Sequence, residues 1–414
     1  MNICLLCYRG NPRSGGQGVY LYHLARELAA LGHGVDVIVG RPFPRPLGGW
    51  ARVHKIHQRN LWGVYGRRWA RGPRPLCLLQ PGHLFDFAAT RLRFFPEPFT
   101  FSWRALGRLG RIARERPLDV IHDIQTLGYG VWAMRLFGTP IVTTVHHPLS
   151  VDRREAFARN RDFHEDYHTA AFYPVAMQRR VIRHLDRVIT ASAAGRDEIE
   201  RDFGVERARI SVVPNGVDLE TFRDAGAVPR AGSTLLFVGN TDDARKGAHI
   251  LIEALERLPE PVMLRIVDDA YPIRSLLPKA IAARRLAHRV AFTGRLSPEA
   301  LAGEYRRCTM LVQPSLFEGF GLPAAEALAC GAPVVAARAG AVGEVVPPAT
   351  GLLVKPGDAG ALAEAIQTLL DDPVRRRAMS EAGPPHAAEH YSWPACARRV
   401  AEVYREAIAA RGAR

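Results

Sequence analysis

Glu318 and Glu326 stand on either side of a glycine-containing run, with seven residues between them, in the stretch MLVQPSLFEGFGLPAAEALACGAPVVA that begins at Met310. Residues 310–312 form a short apolar run of buried-strand type, and Gly319 and Gly321 let the following loop approach a ligand closely. Pro323 suits the first helical position, where its missing amide hydrogen costs nothing, so a helix is expected to begin near Leu322 with its amides pointing into the loop. Helix N-termini attract anions. Gly331 and Pro333 then end the helix before a second buried strand at 334–337. The unit reads as a cradle for an anion or sugar phosphate with a carboxylate on each side. Taken alone, Glu326 is equally a first-turn glutamate favoured by the helix dipole.

Other residues able to do chemistry lie on similar strand-to-helix loops. The run GNTDDARKG at 239–247 follows an apolar strand at 235–238, and Arg245 and Lys246 beside a helix start make a diphosphate clamp. Only four lysines occur among 56 basic residues, which makes Lys246 beside a loop glycine more informative. His146 and His147 directly follow the apolar run 141–145, at the carboxyl end of a strand, where open α/β sheets bind ligands. His122, closing DVIH, is a weaker neighbour. NPRSGGQG at 11–18 separates the first strand from a helix over 19–31 but is no dinucleotide fingerprint, because Leu21 occupies the third glycine position. Cys4 and Cys7 lie three apart within that first strand and point to opposite faces, so they read as core thiols and no metal site is expected. The pairs Asp242 with Asp243 and Asp268 with Asp269 read as solvated loop residues.

Positioning these loops requires strands and helices that alternate along the chain. Strands are expected at 1–8, 35–39, 53–57, 119–122, 141–145, 186–192 and 210–213, and again at 235–238, 263–267, 290–293, 310–312 and 334–337. Such alternation is doubly wound α/β. A chain of 414 residues suits two domains. DAGAVPRAGS at 224–233 has linker composition, and amphipathic helices are expected at 362–370 and 391–410. Residues 151–185 read as polar, helical and loop-like.

The filled motif EGFGLPAAE followed by ALACGAPVVA resembles the signature of the retaining nucleotide-sugar glycosyltransferases of family 4. SGGQGVYLYHLARELAALGHGVDV at 14–37 is similar to the opening of those enzymes, PNGVDLETF at 214–222 to the end of their first domain, and Gly343 to Val345 to their usual ending. The resemblance implies an α/β GT-B fold, two doubly wound Rossmann-like domains facing across a cleft. Residues 1–228 form the acceptor-side domain and 229–388 the nucleotide-sugar domain, and a helix in 389–414 crosses back to the first. It implies transfer of a hexose, without cofactor or metal, from a nucleotide diphosphate-sugar to a glycan, lipid-linked or small-molecule acceptor.

Carried over by position, the catalytic residues are Glu318 on the sugar hydroxyls, His146 in TTVHH on the donor sugar (with His147 as fallback) and Lys246 on the diphosphate. Glu326 holds the ribose. Gly15 and Gly16 lie between donor phosphate and acceptor, Phe320, Gly321 and Leu322 line the phosphates, and Arg295 follows the base-holding Gly294. The family carries an arginine where this chain has Asn240. Arg245 substitutes for it, or the second clamp charge comes from elsewhere.

The formal charge of +15 is uneven, since 41–116 holds sixteen Arg or Lys against three acids. Phe94, Phe95, Phe99, Phe101 and Trp103 precede Arg104, Arg108, Arg111 and Arg114, which makes this segment a candidate for docking on anionic lipid. The alternative is a surface helix packing Leu106, Leu109 and Ile112 on the sheet. A nucleic-acid-binding protein would need a continuous basic face with stacking platforms, and no nucleic-acid partner is expected. An epimerase of the same fold, or a non-catalytic scaffold, is the remaining rival. No apolar run approaches the length of a membrane span, and residues 3–8 lack the basic segment of a signal peptide. The expected location is cytoplasmic, peripheral at the inner membrane face.

Overall fold

The computed structural model describes residues 1–10, 16–44, 47–57, 81–92, 94–159, 162–226, 232–268 and 277–412. The chain divides into two compact units, Met1–Val213 with Cys396–Arg414, and Pro214–Ala395.

The first unit is built on seven parallel strands: β1 (Asn2–Cys7), β2 (Gly34–Gly40), β3 (Arg52–Ile56), β4 (Val120–Ile124), β5 (Ile141–Val145), β6 (Arg187–Thr190) and β7 (Ile210–Val212). Their order across the sheet is β3-β2-β1-β4-β5-β6-β7. The central strands are buried because helices cover both faces, β1 as an apolar run and β4 and β5 with the polar His122, Asp123, Thr143 and Thr144 among their apolar residues. Cys4 and Cys7 are buried in β1 as core thiols, and burial pushes both thiols up, that of Cys7 to about 12. Helix α1 (Gly16–Ala30) buries Tyr20, Leu21, Leu24, Ala25 and Leu28. The next helices are α2 (Pro81–Arg91) and α3 (Glu97–Glu115). Phe101, Ala105, Leu109 and Ile112 of α3 enter the core, so the helix does pack an apolar stripe inward, while Trp103, Arg111 and Arg114 stay exposed. Residues 151–185 resolve into the helices Leu149–Arg159, Phe163–Phe172 and Val175–Ile182.

Six parallel strands form the second sheet: β8 (Thr234–Val238), β9 (Met263–Val267), β10 (Val290–Phe292), β11 (Met310–Gln313), β12 (Val334–Ala337) and β13 (Gly351–Val354). They run in the order β10-β9-β8-β11-β12-β13. β13 is not among the strands expected from sequence; it is the edge strand of the sheet, and Leu352, Leu353 and Val354 are only half-buried. The units separate after Val213, earlier than the expected boundary at 228. Residues 214–222 are tied to the second unit: Val217 N–H donates to Tyr391 O at 2.6 Å, and Arg306 donates to the carbonyls of Thr221 and Arg223.

The final helix, Trp393–Gly412, returns to the first unit. Its Tyr404 is fully buried and meets His122 Nδ1 at 2.6 Å, while Nε2 of the same ring meets Thr144 Oγ1 at 2.7 Å. Burial, helped by the charge of His146, pushes His122 down to about 3, so the ring is neutral and each nitrogen has one partner. Arg411 adds an ion pair to Asp186 at 2.9 Å. Replacing Tyr404 by Phe orphans one buried ring nitrogen and should cost about 1–3 kcal/mol of stability. Urea denaturation measures this, and an unchanged midpoint would show that the pair does not fasten the helix.

Candidate active site

In an open parallel sheet the ligand crevice lies at the carboxyl ends of the strands, where the order reverses. In the second sheet that point falls between β8 and β11, and the loops leaving these two strands are stitched together. Leu316 N–H donates to Arg245 O at 2.7 Å. Gly247 has φ +70°, and a Cβ there would lie 2.1 Å from Pro314 O, so only glycine lets the two loops approach this closely. Across the seam Lys246 Nζ donates to both Glu318 oxygens, at 3.1 and 2.9 Å, and Ser315 Oγ donates to Oε2 at 3.2 Å. The main chain of Glu318 is held as well. Its carbonyl accepts from Ala341 N at 2.9 Å beside Gly340, where a Cβ would fall 2.2 Å from that oxygen.

The helix expected after this loop spans Leu322–Ala329, with Gly321 at its N-cap (φ +95°) and no side chain capping it. Phe320 is buried with its ring edge-on to Tyr391 at 5.6 Å, so the side chain anchors the loop. Glu326 is half-buried on this helix and accepts from the Tyr305 hydroxyl at 3.0 Å. Burial lifts its carboxyl to about 8; the Tyr305 hydrogen bond opposes this, and the charge of Asp218 adds to it.

One loop expectation changes, and Arg245 has a partner within its own loop. Arg245 is tied to Asp243 through contacts of 2.7 to 3.2 Å. Burial raises the Asp243 carboxyl, but the Arg245 hydrogen bond and charge outweigh it and leave the group below the ordinary range. The guanidinium thus has a carboxylate where a diphosphate was expected. Asp268 is not the solvated loop residue expected from sequence. Only 2% exposed, it accepts from both the amide and the hydroxyl of Thr241 and so fastens the β8 loop to the end of β9. Asp269 lies outside the described residues. Asn240 is exposed, and its side-chain oxygen accepts from Asp242 N at 2.8 Å, closing a turn. Arg295 is exposed after β10, at the same sheet edge two strands from β8.

The first unit reverses between β1 and β4. Gly16 opens α1 there, and a Cβ on it would meet nothing within 4 Å, so packing does not require glycine at this position. Gly15 lies outside the described residues. The three histidines separate clearly. His122 is spent in the core. His147 Nε2 meets Asp152 Oδ1 at 2.7 Å. His146 is half-buried at the end of β5, with the Tyr20 ring edge-on to its imidazole at 4.5 Å, and the backbone N–H of His146 donates to Gln125 Oε1 at 3.0 Å.

Gln125, not singled out from sequence, also donates from Nε2 to His147 O at 2.5 Å. It sits at φ +53°, an uncommon conformation for a side-chain-bearing residue. The buried Asp123 holds this loop by accepting from Thr126 N, Leu127 N and Thr143 Oγ1. Burial lifts its carboxyl to about 6 against those hydrogen bonds. Gln313, also unremarked, is 5% exposed at the end of β11, and neither amide atom is hydrogen-bonded among the described residues. Its Nε2 lies 3.8 Å from where a Gly321 Cβ would stand, and Glu318 Cγ 3.9 Å from the same point. A polar residue directly before Pro314 in an apolar strand was the available signal.

Two family models match the chain, one described as Glycosyltransferase Family 4 over residues 14–221 and one as Glycosyl transferases group 1 over 219–385. The chain is similar to the MMP alpha-(1->4)-mannosyltransferase of Mycolicibacterium hassiacum, at 37% identity with 99% of each chain covered. It is 30% identical to the glycogen synthase of Mycobacterium tuberculosis, covering 94% of this chain and 91% of that one. Among solved structures it resembles the sucrose-phosphate synthase of Thermosynechococcus elongatus, with TM-score 0.76, 25% identity, and 99% and 100% of the two chains covered.

Glu326 yields a pH prediction. Between the ordinary value of 4.5 and about 8, the folded state keeps a proton that the unfolded chain releases. Its contribution to stability is therefore complete below the lower value and lost as pH rises through the upper one. The thermal midpoint should fall over this window, and Glu326→Gln should make the fall shallower. Parallel pH profiles would refute the assignment.

Proposed function

The chain belongs to glycosyltransferase family 4, and on that premise we propose that it transfers a hexose from a nucleotide diphosphate-sugar with retention of configuration and without a metal ion. The observation that carries this reading is the Lys246–Glu318 pair, which spans the reversal point of the second sheet beside the start of the helix Leu322–Ala329. Breaking the anomeric bond leaves an oxocarbenium-like sugar and a diphosphate, so catalysis chiefly requires neutralising the charge on the departing phosphates. Lys246 is partly exposed and turns from Glu318 to the diphosphate, while the helix amides take a second phosphate oxygen. Glu318, released, accepts from the sugar hydroxyls, and Glu326 accepts from the ribose. Arg245 stays with Asp243 and shapes the loop. His146, held by Gln125 and Tyr20, contacts the donor sugar.

The acceptor hydroxyl attacks from the leaving-group face, and a diphosphate oxygen takes its proton. No base from the protein is needed for that step. The mannosyltransferase similarity makes a mannosyl donor and a saccharide acceptor the first to test. Lys246→Ala should lower kcat by at least about 100-fold with the thermal midpoint nearly unchanged, because a partly exposed pair contributes only about 0–1 kcal/mol. Activity of the parent enzyme should survive EDTA, and NMR of the product should show the donor's anomeric configuration. Full activity in Lys246→Ala, or an inverted product, would overturn the mechanism.

We further propose that α2 and α3 dock the enzyme on an anionic membrane face. Among the described residues no helix is long and apolar enough to cross a membrane. Leu84, Phe85 and Trp103 are exposed, with Phe85 against Phe99 at 5.1 Å, and exposed Arg111 and Arg114 continue along α3. Arg104 is instead paired with Asp86 at 3.2 Å. Replacing Arg108, Arg111 and Arg114 by Gln should release the protein from phosphatidylglycerol vesicles in a flotation assay. Unchanged flotation would dispose of the docking reading.

A further inference from the structure

The helix Phe163–Phe172 carries a pair of histidines that the transfer reaction does not use. His164 and His168 are four residues apart, one turn along the same face. Their Nε2 atoms lie 2.8 Å apart, with ring centroids at 4.1 Å and ring planes at 81°. His164 is exposed and His168 half-buried, so solvent reaches the pair. Two imidazole nitrogens this close form a hydrogen bond, one ring donating to the other. With neither Nε2 protonated, a small rotation of the rings turns both lone pairs to one cation.

We propose that His164 and His168 chelate a single divalent transition-metal ion, Cu2+ or Ni2+ in preference to Zn2+, and that filling this site fastens the helix that carries them. The ligand chemistry sets the class. Imidazole nitrogen suits copper, nickel and zinc, whereas magnesium and calcium take oxygen ligands. The bite sets the order within the class. With metal–nitrogen bonds of about 2.0–2.1 Å, nitrogens 2.8 Å apart subtend roughly 85° at the metal. That is close to the right angle between neighbouring ligands in the square-planar and tetragonal geometries of Cu2+ and Ni2+. Tetrahedral Zn2+ would need the two rings to spread. Among the described residues no group of three or more His, Cys, Asp or Glu is placed to hold a metal, so water completes the coordination and the ion exchanges readily.

The helix itself gives binding a consequence. It has ten residues, none of them buried, and is held at its start by Asp162 accepting from Glu165 N. At its far end Phe172 stacks on Phe95 at 5.6 Å. Isolated helices shorter than about 12–15 residues are marginal in water. A ligand that binds only the helical arrangement stabilises it by mass action. A metal bridging positions 164 and 168 therefore closes the turn between the two anchored ends. The proposal does not rest on the reading given for the donor-binding loops.

The test uses the untagged full-length chain at about pH 8, where ordinary histidine is neutral. NiCl2, CuCl2, ZnCl2 and MgCl2 are each titrated by calorimetry, and amide exchange of 163–172 is followed with and without Ni2+. One site of equal stoichiometry for Cu2+ and Ni2+, weaker binding of Zn2+, no heat with Mg2+ and slowed exchange confined to this helix are expected. His164→Gln and His168→Gln should each abolish that isotherm and the protection, with circular dichroism confirming the fold. Binding that survives both substitutions, or no Cu2+ or Ni2+ binding by the parent chain, would overturn the proposal. Binding without slowed exchange would overturn the fastening of the helix.

Discussion

Lys246 and Glu318 hold each other across the one place where the second sheet reverses its strand order, and the surrounding loops are shaped to permit that contact. The two residues belong to different strand ends, so they meet only if the β8 and β11 loops run side by side. Gly247 allows this by bringing its own backbone against Pro314, and Gly340 by admitting the Glu318 carbonyl. Any side chain at either position would push the seam apart. The pair is partly exposed and only modestly stabilising, which suits a contact that an incoming diphosphate must divide. A rigid seam carrying an exchangeable ion pair presents a charge without committing it.

The first unit uses polar groups differently. Tyr404, His122, Thr144 and Tyr20 form a buried chain of hydroxyl and imidazole contacts that binds the last helix to the centre of the sheet. Burial removes the charge from His122, so a residue type associated with catalysis serves here as a neutral connector. His146 lies one strand end further out, and Gln125 holds the backbone on both sides of its peptide link to His147. The positive φ of Gln125 is strained and persists because Asp123 fixes the loop behind it.

Much of both sheets was legible because buried parallel strands are short apolar runs bounded by glycine and proline, and that signal is local. The helix start at Leu322 was legible from Gly321 and Pro323 for the same reason. The site was legible in part. Its loops could be named from residue types, whereas the partners of their charges could not. Arg245 read as a phosphate clamp and Asp268 as solvated, yet one pairs with Asp243 and the other is buried under Thr241. Gln125 and Gln313 gave little warning, since an amide side chain has no spacing rule and its value depends on what surrounds it.

By itself, then, the sequence determined the alternation of strands and helices, the glycine-containing turns at the strand ends and the family to which they belong, all properties of neighbouring residues. Only the tertiary structure decided which histidine stands at the strand end, which arginine is already paired, and that Lys246 reaches a carboxylate 72 positions away. Strand order brings those groups together, and ion pairs and desolvation act through space on whatever the fold places within a few ångströms.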